Sequence, residues 1–100
     1  MYCDTTQVNQ LTALLVAYNI RNAVVCPGSR NATIVHNLYE IHRQGKVSIH
    51  PVTDERSAAF VALGMSLATQ GPTIVCVTSG TALLNCVSAV AEAYYRHLPL

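Results

Sequence analysis

Three short apolar runs, residues 22–26 (Asn-Ala-Val-Val-Cys), 46–50 (Lys-Val-Ser-Ile-His) and 73–77 (Thr-Ile-Val-Cys-Val), each end in a cluster of turn-forming residues from which a helix-patterned segment rises. Strands that alternate with helices in this way are parallel neighbours, because a parallel pair needs a long crossover and a helix fills it. The pattern predicts an α/β fold: a doubly wound parallel sheet with helices on both faces. Ligands of such sheets bind outside the carboxyl ends of the strands. That rule assigns the turns at 27–31, 50–55 and 78–81 to one rim.

The helical segments follow from spacing and punctuation. Thr5 and Thr6 are placed to cap a first helix whose apolar positions are Val8, Leu11, Leu14, Leu15 and Tyr18, with Gln7, Asn9 and Gln10 on the other side. A second helix is expected over about 32–44, with Ile34, Leu38 and Ile41 on one side and Gly45 ending it. A third starts at Glu55 and stops at Gln70-Gly71-Pro72, and a fourth is expected as one piece over about 82–95.

Composition narrows the class of protein. One hundred residues suit one domain. Hydrophobic residues make up 51% and charged residues only 11%, against about 25% charged in ordinary soluble domains. The deficit implies that another domain or subunit covers part of the surface. A net charge of +1, with the basic residues scattered, offers no stripe for a phosphate backbone, so nucleic acid is not an expected partner. Cys3, Cys26, Cys76 and Cys86 form no C-x-x-C pair, and Cys26 and Cys76 sit in apolar runs as small buried hydrophobes do. No basic-then-apolar leader precedes Cys3, and the longest near-apolar run, 58–68, is shorter than a membrane span. A cytoplasmic protein without a membrane span is expected. The apolar ending Leu98-Pro99-Leu100 reads as the start of a further strand.

Each rim turn admits two readings from its residues. Glu55, in the first turn of a helix that continues through Ala58, Ala59 and Phe60, either complements the helix dipole or stands as a carboxylate at the lip of an apolar wall. Arg30, after Gly28 and Ser29, is either a solvated loop residue or a planar fork for a carboxylate or phosphate. Ser79-Gly80-Thr81 is a plain cap or a backbone approach to a ligand. Dinucleotide and P-loop glycine patterns are absent. His36 and His42, six apart, and the lone His50 and His97 do not make a metal-ligand set.

Taken together, Cys26-Pro27-Gly28-Ser29-Arg30-Asn31-Ala32, Asp54-Glu55-Arg56-Ser57-Ala58-Ala59-Phe60 with Leu63-Gly64, and Thr78-Ser79-Gly80-Thr81-Ala82 with Asn85 resemble the N-terminal pyrimidine-binding domain of thiamine diphosphate enzymes. Among these they are most similar to the 2-succinyl-5-enolpyruvyl-6-hydroxy-3-cyclohexene-1-carboxylate synthases of menaquinone biosynthesis. Thr33 departs from the proline expected after Asn31-Ala32.

The resemblance implies that residues 1–100 are the N-terminal part of that domain, with the central and diphosphate-binding domains lying outside it. It implies a transferase that decarboxylates 2-oxoglutarate and adds the succinyl unit to isochorismate. Glu55 would be the catalytic residue, on N1′ of the aminopyrimidine. Ser79, Gly80, Thr81 and Asn85 would line the cofactor pocket, and Ser29 and Arg30 would face the carboxylate substrates. Thiamine diphosphate and Mg2+ are the implied cofactors. The diphosphate and metal ligands belong to another domain supplied by a partner subunit in a homodimer or homotetramer, and the segment alone would be inactive. Another thiamine diphosphate carboligase or decarboxylase, and a non-catalytic flavodoxin-like assembly domain, are the competing readings.

Overall fold

In the computed structural model, which describes residues 1–100, the strand richest in small apolar side chains is also the middle one. Strand β1 (Asn22–Val25) lies between β2 (Ser48–Pro51) and β3 (Thr73–Cys76), all parallel, in the order β2-β1-β3. Ala23, Val24 and Val25 are fully buried. A central strand covered on both faces needs apolar residues at successive positions rather than alternate ones, which is what Ala-Val-Val supplies.

Helix α2 (Ala32–Arg43) carries the chain from β1 to β2 and α3 (Glu55–Thr69) from β2 to β3, with α1 (Thr6–Ala17) before the sheet and α4 (Thr81–Leu84) and α5 (Val87–Arg96) after it. Because successive strand side chains point to opposite faces, β1 divides its residues between two cores. Ala23 and Val25 join Cys76, Leu38, Ile41 and Val47, with Leu15 and Val16 of α1 and Ile34 and Val35 of α2 against them. On the other face Val24 and Cys26 meet Ala58 and Ala62 of α3, while Ala59 meets Cys86 and Ala89. The sheet is therefore doubly wound, as the alternation of runs predicts. The alanines of α3 are used inside the domain, where their small size lets the helix lie close to β1.

Punctuation explains most boundaries. Gly45 takes φ 75°, and Gly45 N donates to His42 O and Lys46 N to Ile41 O, at 3.0 Å each, closing α2 with the paired bonds of a Schellman motif. At the end of α3 the left-handed residue is Gln70, φ 54°, one position before the glycine.

Three expectations need correction. The second strand is displaced toward its carboxyl end and includes Pro51, which β2 tolerates because it is an edge strand: Val25 O takes its bond from Val52 N at 3.0 Å, so the N–H that proline lacks falls on the unpaired side. The last helix is two helices. The Asn85 side-chain amide donates to Thr81 O at 2.8 Å, Cys86 N bonds three residues back to Leu83 O, and the axis breaks there. Finally, α1 turns Val8, Asn9, Thr12, Leu15 and Val16 inward, leaving Leu11, Leu14 and Tyr18 exposed. Buried Asn37 of α2 draws in the polar pair, donating to Asn9 Oδ1 at 2.8 Å and to Thr12 Oγ1 at 3.0 Å. No helix is long and apolar enough to cross a membrane.

Candidate active site

Val25 pairs with Pro51 on one side and Cys76 on the other, so the three strands end level and the three turns leave from the same edge of the sheet. The first turn is held by Asn31. This residue occupies the N-cap position of α2 but makes no side-chain cap bond there. It is buried instead, accepting from Gly28 N at 2.8 Å and donating to Cys26 O at 3.1 Å and toward Cys76 Sγ at 3.6 Å. Ser29 and Arg30, at the apex of the loop so closed, are exposed, and Arg30 forms no ion pair.

The second turn delivers Glu55 as the first residue of α3. Asp54 is the cap: its Oδ2 accepts from Ser57 N at 2.9 Å and from Ser57 Oγ at 2.7 Å. Those bonds hold the Asp54 carboxyl below its usual range. Capping is thus done by the neighbouring acid, and the Glu55 carboxylate has no hydrogen bond or ion pair. It is half-buried, and its charge reaches two buried thiols, Cys26 and Cys86. Burial, with the Glu55 charge adding to it, pushes Cys26 up to about 11 and raises Cys86 as well. Cys86 Sγ lies 3.9 Å from the Glu55 carbonyl oxygen, so the turn between α4 and α5 backs the start of α3.

In the third turn Gly80 has φ 76° and ψ −133°, a conformation open to glycine and strained for other residues. Ser79, Gly80 and Thr81 are exposed on the rim. Asn85 stands a turn of helix further on, its amide committed to Thr81 O.

The structure therefore brings Ser29, Arg30, Glu55, Ser79, Gly80 and Thr81 to one edge, with Asn85 behind them. What the sequence did not disclose is the scaffold: Asn31 turning inward, Thr78 lying against Gly28, and Cys86 beneath Glu55. The three-residue spacing from Gly28 to Asn31 is the available signal, since an Asx side chain bonds backbone a few positions away. The histidines are engaged away from Glu55 and Arg30, with His36 Nε2 2.7 Å from Met1 O, His42 Nδ1 3.0 Å from Val47 O and His50 Nε2 3.3 Å from Asn22 Oδ1. An open groove formed by Leu83, Cys86, Val87, Val90, Tyr94 and Tyr95 runs along α4 and α5, entirely apolar.

A doubly wound parallel sheet whose carboxyl rim presents an unpaired carboxylate among glycine-containing turns is a ligand-binding α/β domain. Residues 5–100 match the family described as thiamine pyrophosphate enzyme, N-terminal TPP binding domain, and the chain belongs to that family. Its relatives include proteins named 2-succinyl-5-enolpyruvyl-6-hydroxy-3-cyclohexene-1-carboxylate synthase. The one from Phocaeicola vulgatus is 54% identical over 100 residues, and the one from Bacteroides thetaiotaomicron 51% over 106, each across the whole of this chain. The protein of that name from Mycolicibacterium vanbaalenii is 41% identical over 97 residues. This chain spans 17% of the first of these relatives and 18% of the other two.

Proposed function

We propose that this chain is the N-terminal part of the pyrimidine-binding domain of a synthase that decarboxylates 2-oxoglutarate and joins the succinyl unit to isochorismate in menaquinone biosynthesis. The names and identities of the relatives support that reading, as does the family match. Thiamine diphosphate, when bound, supplies the nucleophilic carbon and the electron sink that decarboxylation requires.

The observation that carries the reading is the free carboxylate of Glu55. A surface glutamate at a helix start ordinarily serves the cap or the dipole, but here Asp54 does the capping. Glu55 is left half-buried, without a hydrogen-bond or ion-pair partner for its carboxylate, and Cys86 Sγ lies 3.9 Å from its backbone carbonyl. Its role is to hold and exchange a proton at N1′ of the aminopyrimidine, for which an unpaired carboxyl with restricted hydration is suited. Ser79, Gly80 and Thr81 line the ring, with small side chains and, at Gly80, a backbone free of a Cβ. Asn85 supports that loop through Thr81. Ser29 and Arg30 receive a substrate carboxylate, Arg30 through charge-assisted bonds.

The diphosphate and Mg2+ are held by a domain of the partner subunit in a cytoplasmic homodimer or homotetramer. The apolar exposure of α3, α4 and α5 supports burial of this flank, since Phe60, Val61, Leu83, Val87, Tyr94 and Tyr95 are all exposed in the isolated chain. The test is Glu55→Gln in the full-length protein. Carboligation is expected to fall by at least about a hundredfold, as for an essential proton-transfer group, with the fold intact by circular dichroism. Unchanged turnover would favour a domain with no part in catalysis.

A further inference from the structure

We propose that Asn31 is a positioning residue for the substrate loop: one buried amide shapes the loop from Pro27 to Arg30 and thereby aims Arg30. The proposal rests on the reading that Arg30 meets a substrate carboxylate. Asn31 is 4% exposed, so its side chain braces the rim turn from beneath and is closed to solvent. Its oxygen accepts the Gly28 N–H and its nitrogen donates to the Cys26 carbonyl, so both backbone groups flanking Pro27 are satisfied by the same side chain. The amide orientation is fixed by chemistry, since the reverse would oppose N–H to N–H and C=O to C=O. Aspartate lacks the donor and alanine lacks both groups.

The same nitrogen lies 3.6 Å from Cys76 Sγ, at the end of β3. The loop after β1 is thus referenced to the strand that feeds Thr78, Ser79 and Gly80, and it rests on Thr78 at Gly28. With Cys26 and Gly28 pinned inward, Ser29 and Arg30 form the exposed apex between them and α2.

The test uses the full-length protein with Asn31→Ala, Asn31→Asp, Arg30→Ala and the Arg30→Ala/Asn31→Ala double variant. Expected is a rise of about tenfold in KM for a carboxylate substrate with either Asn31 variant, the scale of a lost buried hydrogen bond, with thiamine diphosphate affinity within about twofold of wild type. In the Arg30→Ala background, Asn31→Ala should add almost nothing to that KM, because its effect passes through the guanidinium. Additive losses, an unchanged KM, or a parallel collapse of cofactor affinity and melting temperature would overturn the proposal. If the alanine variant does not accumulate, Asn31→Asp is read the same way, and misfolding of both makes Asn31 a core residue and overturns it too. Arg30→Ala with no effect on either substrate defeats the underlying reading. An Arg30 effect without the coupled Asn31 effect defeats this proposal alone.

Discussion

The backbone of Gly28 lies against the side chain of Thr78: a Cβ placed on the glycine would sit 2.8 Å from Thr78 Cβ and 3.0 Å from its Oγ1. Two of the three rim loops therefore touch at a residue that lacks a side chain. The contact makes the spacing between the Arg30 loop and the Ser79-Gly80-Thr81 loop a property of glycine at position 28.

Gly28→Ala is accordingly expected to destabilise the domain by about 1–3 kcal/mol, the usual cost of forcing a methyl into a closed contact. Denaturant unfolding measures it. Thr78→Ala, which removes the Oγ1 and Cγ2 contacts at 3.0 and 3.1 Å but keeps the Cβ at 2.8 Å, should recover part of the loss caused by Gly28→Ala. No recovery on trimming Thr78 would mean that the cost of Gly28→Ala does not come from this contact.

Arg30→Ala should raise KM for at least one carboxylate substrate by an amount equivalent to about 1.5–3 kcal/mol, the range for a hydrogen bond to a charged group. Arg30→Lys should recover only part of it, because a lysine ammonium cannot make the paired planar bonds of a guanidinium. Steady-state kinetics with each substrate varied in turn identify which one Arg30 meets.

The sheet was legible because its signal is local. Apolar runs closed by Pro27-Gly28, Thr53-Asp54 and Ser79-Gly80 mark strand ends whatever surrounds them, and parallel connection then places all three ends on one rim. Features set by tertiary partners were not legible. Asn9 reads as a solvent-facing residue of α1, yet it bonds Asn37, a residue 28 positions away. The break at Asn85 and Cys86 depends on a side-chain amide choosing a carbonyl of its own helix, which the apolar spacing of Leu83, Val87, Val90 and Tyr94 conceals. Glu55 was visible as an acid at a helix start. Its freedom from capping became visible only with the Asp54 bonds to Ser57.

Cys26 predicts an alkaline weakness. Its thiol ionises near 9.0 when solvated and at about 11 in the fold, chiefly because burial disfavours the thiolate and secondarily because of the Glu55 charge. Below pH 9 the thiol is protonated in both states and contributes no slope. Between 9 and about 11 the unfolded chain releases a proton that the folded one retains, so folding stability falls as pH rises through that window. Urea unfolding of wild type against Cys26→Ala across this range should show a flatter profile for the variant. Parallel profiles would mean that Cys26 ionises alike in both states.

Asn37 concentrates the polar contacts between α1 and α2, so its removal should weaken the fold without disturbing the rim. It is fully buried, its Oδ1 accepting from Cys3 N at 3.0 Å while its Nδ2 serves Asn9 and Thr12. Alanine there leaves those groups facing a cavity, and unsatisfied buried partners make the loss larger than the bonds alone, about 1–3 kcal/mol. Melting temperature should fall while kcat and both KM values, measured well below the transition, stay close to wild type. Asn9 and Asn37 share a bond, so Asn9→Ala and Asn37→Ala together should cost less than the sum of the single losses. Strict additivity would show that the 2.8 Å contact between them contributes nothing to stability.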